Sequence, residues 1–200
     1  MPNSVDKILF EDLAGENPED VCRRALCEYD KDKKCYTVFA WGDEYKIYPE
    51  EYKIDLISNN PEPPHRYFNV FLVNYLLQSK DVRVYNEWIS EKDIPGGMNF
   101  FSGPHEIPTN HITKKFGDDV ESFKKHCEKL DGTLFDMADA AYIFRITPRI
   151  KVAVLYWRGD EDFPAEAKLL YDKSITDQLA SDIIFAVAVD VCWRISGKNS

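Results

Sequence analysis

The sequence predicts an α+β fold, a single domain in which helices pack against a mainly antiparallel sheet. Three observations carry this. Apparent strands and helices follow one another unevenly, without the regular βαβ alternation of a parallel sheet. "CYTVFAW" (35–41) and "EYKIYP" (44–49) alternate β-branched or aromatic residues across Gly42-Asp43, as a hairpin does. The chain of 200 residues, 44% hydrophobic, suffices for one sizeable core, and the residues ahead of the breaker "NNPEPPH" (59–65) are too few for a second.

Residues 1–16 read as an N-terminal extension, 17–196 as the domain and 197–200 as a tail. The first helix is expected over 17–30, with Asn17 as cap, Pro18 at the first helical position and Glu19 and Asp20 at the positive end of the helix dipole. "YKIDLIS" (52–58) extends the hairpin sheet. "RYFNVFLVNYLLQSK" (66–80) is apolar around most of its circumference and predicts an interior helix. A strand is expected at "RVYNEWIS" (83–90). "GDDVESFKKHCEKLDG" (117–132) predicts an amphipathic helix: Asp118 and Glu121 form a capping-box variant, Val120, Phe123, Cys127 and Leu130 make the inner face, and Asp131-Gly132 ends it. "AAYIFRI" (140–146), "IKVAVLYW" (150–157) and "AKLLYD" (167–172) read as strands, the second central because it is apolar nearly throughout. A helix over 176–196 closes the chain.

A net charge of −10 and a pI near 4.9 oppose nucleic-acid backbones and anionic lipid surfaces. No apolar run approaches the ~20 residues that span a bilayer, and the amino terminus lacks the pattern of a secretory signal, so a cytoplasmic location is expected. The five cysteines form no CxxC pair. Cys22 and Cys27, five apart on the expected helix, should point apart around its axis, and the odd count opposes a complete disulfide framework. No metal site is expected, because neither the cysteines nor the histidines have ligand spacing. "HEIPTNH" (105–111) only loosely resembles HExxH and cannot put both histidines on one helical face.

Chemistry is expected first in "IPGGMNFFSGPHEIPTNH" (94–111). Gly96-Gly97 permits positive φ or close backbone approach, and Gly103-Pro104 sets a second turn that keeps Gly103 out of helical geometry. Met98, Phe100 and Phe101 suggest a short strand or a pocket wall. His105 and Glu106 emerge between Pro104 and Pro108, a stiff mount for an acid/base pair or a ligand contact. The alternative is a purely architectural turn with His105 bonded to a backbone carbonyl. A second cluster is "YWRGDEDFPAEAKLLYD" (156–172), where Arg158, Asp160, Glu161 and Asp162 could do acid/base work, bind a hard cation or simply form a solvated hairpin tip. In a third, Asp136 and Asp139 with Arg145 and Arg149 suggest structural ion pairs. No P-loop, GxGxxG or GxSxG motif appears.

In order, Trp88, Gly96-Gly97, Phe101-Ser102-Gly103-Pro104-His105, Phe116-Gly117-Asp118, Pro148-Arg149 and Trp157-Arg158-Gly159-Asp160-Glu161-Asp162-Phe163-Pro164 resemble the family called domain of unknown function 3786, over roughly residues 17–196. One departure is Lys151, where that pattern often has proline. The resemblance implies a fold and a lineage in anaerobic bacteria and archaea, and no established reaction. Some members carry a cysteine-rich iron–sulfur segment; this chain has none, so that role does not transfer.

The expected function is therefore that of an accessory protein holding a small ligand or cofactor. A tetrapyrrole or corrinoid is suggested by the family context alone, and the cofactor's identity and the oligomeric state are not legible. The binding residues would be Gly96, Gly97, Phe100, Phe101, Gly103, His105, Glu106, Arg158, Asp160 and Glu161. Two alternatives stand beside it. One is an enzyme combining His105 and Glu106 with the acidic residues 160–162, which requires both loops in one pocket. The other is a protein-interaction module without a small-molecule site.

Overall fold

The computed structural model describes residues 5–58 and 65–197. The expected breaker lies largely outside them. Helix α1 (Lys7–Gly15) is capped by the Asp6 carboxylate, which accepts from the Ile8 amide. This helix precedes the expected domain start, and its Phe10 and Leu13 are wholly buried in the common core.

Helix α2 (Pro18–Ala25) starts as expected, with the Asn17 side chain accepting from the amides of Glu19 and Asp20. It ends five residues earlier than the sequence suggested. Leu26 adopts a left-handed conformation (φ 52°), and residues 28–30 become a strand instead. That reversal also corrects the cysteine geometry. Cys27 folds back so that its amide donates to the Cys22 carbonyl, and the two sulfurs stand 3.8 Å apart.

Strands β1 (Glu28–Asp30), β2 (Cys35–Ala40), β3 (Asp43–Tyr48) and β4 (Lys53–Ile57) form an antiparallel meander in sequence order. The β2–β3 turn places Trp41 (φ 53°) and Gly42 (φ 81°) both at positive φ, with Ala40 opposite Asp43. This is the doubly left-handed turn that suits the twist of a two-residue hairpin. Helix α3 (Arg66–Gln78) is interior, with Phe68, Phe71, Leu72, Val73, Tyr75 and Leu76 fully buried.

The second sheet has the order β5-β9-β8-β7-β6, all antiparallel: β5 (Trp88–Ile89), β6 (Thr133–Leu134), β7 (Ala140–Arg145), β8 (Lys151–Trp157) and β9 (Glu166–Asp172). The central position of β8 agrees with its apolar sequence. Val152, Val154 and Tyr156 enter the main core, while Ala153 and Leu155 pack on the opposite face with Trp88, Phe135 and Trp157. Burial on both faces is what erases the polar alternation.

The strand expected over 83–90 shrinks to Trp88–Ile89, because the buried Asp172 carboxylate takes the Tyr85 and Asn86 amides at 2.9 and 2.6 Å. The segment 117–132 yields α6 (Val120–Lys129), capped by Asp119, not Asp118: Asp119 accepts from the Ser122 amide. Phe123 and Cys127 form its buried face; the helix ends ahead of Asp131-Gly132, as expected, and Asp131 takes positive φ there. The closing helix is split into α7 (Ile175–Gln178) and α8 (Ser181–Ser196). Gln78 accepts from the Ala180 amide at the break, while Gln178 exchanges hydrogen bonds with the Lys80 backbone. One continuous core joins both sheets, α3 and α8. The architecture is α+β, with helices against antiparallel sheets.

Candidate functional site

The glycine-rich segment folds as two consecutive tight turns. Gly96 and Gly97 divide the two properties expected of them. Gly96 takes φ 74°, while Gly97 lies so close to the chain that a Cβ there would fall 1.9 Å from the Glu91 carbonyl oxygen. Their conformation starts a one-turn helix, α4 (Gly97–Phe100), where a strand or pocket wall was expected. Because a helical turn distributes successive side chains around its axis, Phe101 turns into the core, Phe100 is half-buried and Met98 is 74% exposed. Gly103, at φ 56°, then opens a single 3-10 turn through His105, closed by the Glu106 amide donating to the Gly103 carbonyl.

The outcome is a presented imidazole. His105 is exposed, its ring stacked on Phe100 (centroids 4.6 Å apart, planes within 9°) and meeting Phe185 edge-on at 5.3 Å. Its side chain makes no hydrogen bond to any described residue, and neither does that of Glu106. The architectural alternative, in which a carbonyl takes the His105 ring, does not describe this geometry.

His105 is also one end of a longer row of rings over α8. Phe185 is followed by Tyr67 at 6.5 Å, Tyr67 by His65 at 5.0 Å, and His65 stacks on Trp193 at 5.2 Å. His111, where α5 (Asn110–Phe116) begins, meets the Trp193 ring at 5.3 Å. The two histidines of "HEIPTNH" thus stand at opposite ends of one row, bracketing Phe185 and Trp193, which lie eight residues apart on α8. Phe185, Tyr67, His65 and Trp193 are each partly exposed. His65 and Trp193 were not singled out in the sequence. Trp193 had a signal, its spacing of eight residues from Phe185 within a largely apolar helix, whereas His65 had none.

The same helix carries a buried charge pair that the sequence did not single out. Asp190, 1% exposed, accepts from Arg194 Nε at 2.8 Å and Trp41 Nε1 at 3.0 Å. The Arg194 guanidinium lies 5.0 Å from the ring centres of both Trp41 and Phe68. Burial pushes the Asp190 carboxyl up, against the pull of Arg194, Trp41 and the His65 backbone. The signal available was an Asp and an Arg at i and i+4 within an apolar helix.

The second predicted cluster is anchored elsewhere. The Arg158 amide donates to Asp139 and the Gly159 amide to Asp118. Asp160 caps its own loop by accepting from the amides of Asp162 and Phe163. Glu161 and Asp162 are exposed, and so is Phe163 at 72%. Among the described residues no hydrogen bond, ion pair or ring contact joins 96–106 to 158–164: the first segment rests on α8, the second on the starts of α6 and β7.

The third cluster is corrected in its partners. The buried Arg149 pairs with Asp81 at 2.6 Å and donates to the carbonyls of Arg23, Arg24 and Val82, instead of meeting Asp136 or Asp139. A surface concavity of about 250 Å³ is lined by Asp32, Lys33, Lys34, Tyr48, Glu50 and Glu51, none of them predicted site residues. Among the described residues, no group of three or more His, Cys, Asp or Glu side chains is disposed to hold a metal ion, and no helix is long and apolar enough to cross a membrane.

These features define a class, an α+β domain that displays an imidazole loop against one buried helix. The chain belongs to the family described as Domain of unknown function (DUF3786), whose model matches residues 17–193. No curated protein and no solved structure matches it.

Proposed function

We propose that the protein is a cytoplasmic accessory protein that binds a small, planar cofactor, with His105 as its polar contact and the ring row over α8 as its apolar bed. The observation that carries this reading is the state of His105: exposed, fixed against Phe100 and Phe185, and without a hydrogen-bond partner among the described residues. An imidazole held by ring contacts alone keeps its nitrogens for a ligand or a metal centre carried by one. The neighbouring rings, Phe185, Tyr67, His65 and Trp193, supply flat apolar surface beside it. Glu106 adds a carboxylate on the same turn. A tetrapyrrole or corrinoid combines a flat conjugated ring with a metal that accepts imidazole, and so fits this pairing.

The chain's acidity disfavours nucleic acid and anionic membrane surfaces as partners. The enzymatic reading would require the 158–164 carboxylates at the same site, and their anchoring on Asp118 and Asp139 lends it no support. The test is an anaerobic absorbance titration of purified protein with haemin and, separately, with cobalamin. A saturable band shift with either supports the proposal. Spectra equal to the sum of protein and cofactor in both titrations would remove it.

A further inference from the structure

The turn that ends α2 brings together two groups for which the ligand-binding reading has no use. Cys22 is on the last turns of the helix, and Cys27 follows the left-handed Leu26. Their sulfurs are 3.8 Å apart, with Cys27 Sγ donating to Cys22 Sγ. Both thiols are reduced and only partly buried, whereas Cys35, Cys127 and Cys192 are buried. We propose that Cys22 and Cys27 form a redox-active dithiol, which a low-molecular-weight disulfide converts reversibly into an intrachain disulfide.

The surroundings hold this pair in register. The α2 carbonyls that would fray at the helix end are each occupied: Arg23 and Arg24 by the Arg149 guanidinium, Ala25 by the Tyr75 hydroxyl, and Cys22 by the Cys27 amide. Arg24 in turn donates to the carbonyls of Leu76 and Leu77 at the end of α3. The backbone at both cysteines is thereby fixed by contacts that do not involve the sulfurs. Closing the gap to bonding distance then needs side-chain rotation with little movement of the chain.

The direction of attack follows from the hydrogen bond. A Cys22 thiolate would accept the Cys27 S–H, which favours the charged form on Cys22. Burial raises both thiols above the ordinary range, and it raises Cys27 by the larger margin. Cys22 is therefore the attacking sulfur and Cys27 the resolving one. In the first step the Cys22 thiol gives up its proton and its sulfur attacks one sulfur of the external disulfide. A mixed disulfide forms, and the displaced thiolate takes the proton. In the second step Cys27 loses its proton and attacks Cys22 Sγ, breaking the mixed bond and releasing the second external thiol. The dithiol loses two electrons and two protons, and one external disulfide becomes two thiols.

The experiment treats the full-length reduced protein with oxidised glutathione, quenches with acid and maps tryptic peptides without reduction. Trypsin cuts at Arg23 and Arg24, between the two cysteines, so the bond appears as a linked pair of peptides that dithiothreitol separates. The expected result is this pair as the dominant product, with Cys35, Cys127 and Cys192 still reduced. Cys27→Ser should instead halt at a glutathione adduct on Cys22. If the wild-type chain also halts at that adduct, or links between molecules, or shows no modification at position 22, the dithiol assignment is overturned.

Discussion

At the residue scale, Gly96 and Gly97 make separable predictions because they serve different constraints. Gly96→Ala must place a side chain at φ 74° but meets no neighbour, and should cost about 1–2 kcal/mol. Gly97→Ala drives a Cβ into the Glu91 carbonyl and must displace backbone, so its cost should be the larger, about 3 kcal/mol. Urea melts of the two variants check the order; an equal loss would show that position 97 is not sterically closed. Asp190→Ala should cost about 3–5 kcal/mol, since it leaves the Arg194 guanidinium without its carboxylate. The sequence made the Gly-Pro-His turn legible because glycine and proline act locally. It did not reveal the Cys22–Cys27 approach. That contact depends on Leu26 adopting a left-handed conformation that favours glycine and that nothing in its identity announces.

At the element scale, the hairpin, the interior helix and the three long strands were readable because their patterns answer to burial, which the sequence records directly. Failures fell where a tertiary hydrogen bond competes with local propensity. Residues 83–87 have strand composition, yet Asp172 captures two of their amides and holds Asn86 at φ 56°. Asp172 also accepts from the Ser174 amide and hydroxyl. Asp172→Ala should therefore cost on the order of 2–4 kcal/mol. It should also raise hydrogen exchange at Tyr85 and Asn86 before the rest of the sheet; unchanged exchange there would mean that Asp172 does not hold the segment. The break between α7 and α8 has the same cause, a glutamine from α3 reaching the Ala180 amide, and no pattern within 176–196 predicts it.

At the scale of the whole molecule, α1 is joined to the core. Phe10→Ala should lower stability by about 3–5 kcal/mol in a single cooperative transition. A small loss would instead mark residues 7–15 as an appendage. Acid should destabilise the fold for an identifiable reason. The Arg23 hydrogen bond holds Asp20 below the usual carboxylate range, Arg149 does the same for Asp81, and Ser122 for Asp119. A carboxyl depressed in the folded state contributes stability above its unfolded value, about 3.9. That contribution disappears as the pH falls through the folded value. Asp190 has the opposite sign, because burial raises it. The melting temperature should accordingly hold near neutral pH and decline below about pH 4. A flat profile to lower pH would contradict the role given to those pairs.

On the proposed reading, the segment 96–106 serves to present His105 to a ligand and not to brace the fold. A paired measurement on His105→Ala tests it: a thermal melt and an anaerobic titration with whichever of haemin or cobalamin the wild-type protein takes up. With an exposed ring and no hydrogen-bond partner among the described residues, the variant should melt within about 0.5 kcal/mol of the wild type. Its affinity should fall at least ~10-fold, the weight of one lost coordinating contact. A variant that binds as tightly as the wild type would contradict the account. So would one that loses binding only in proportion to a large loss of stability.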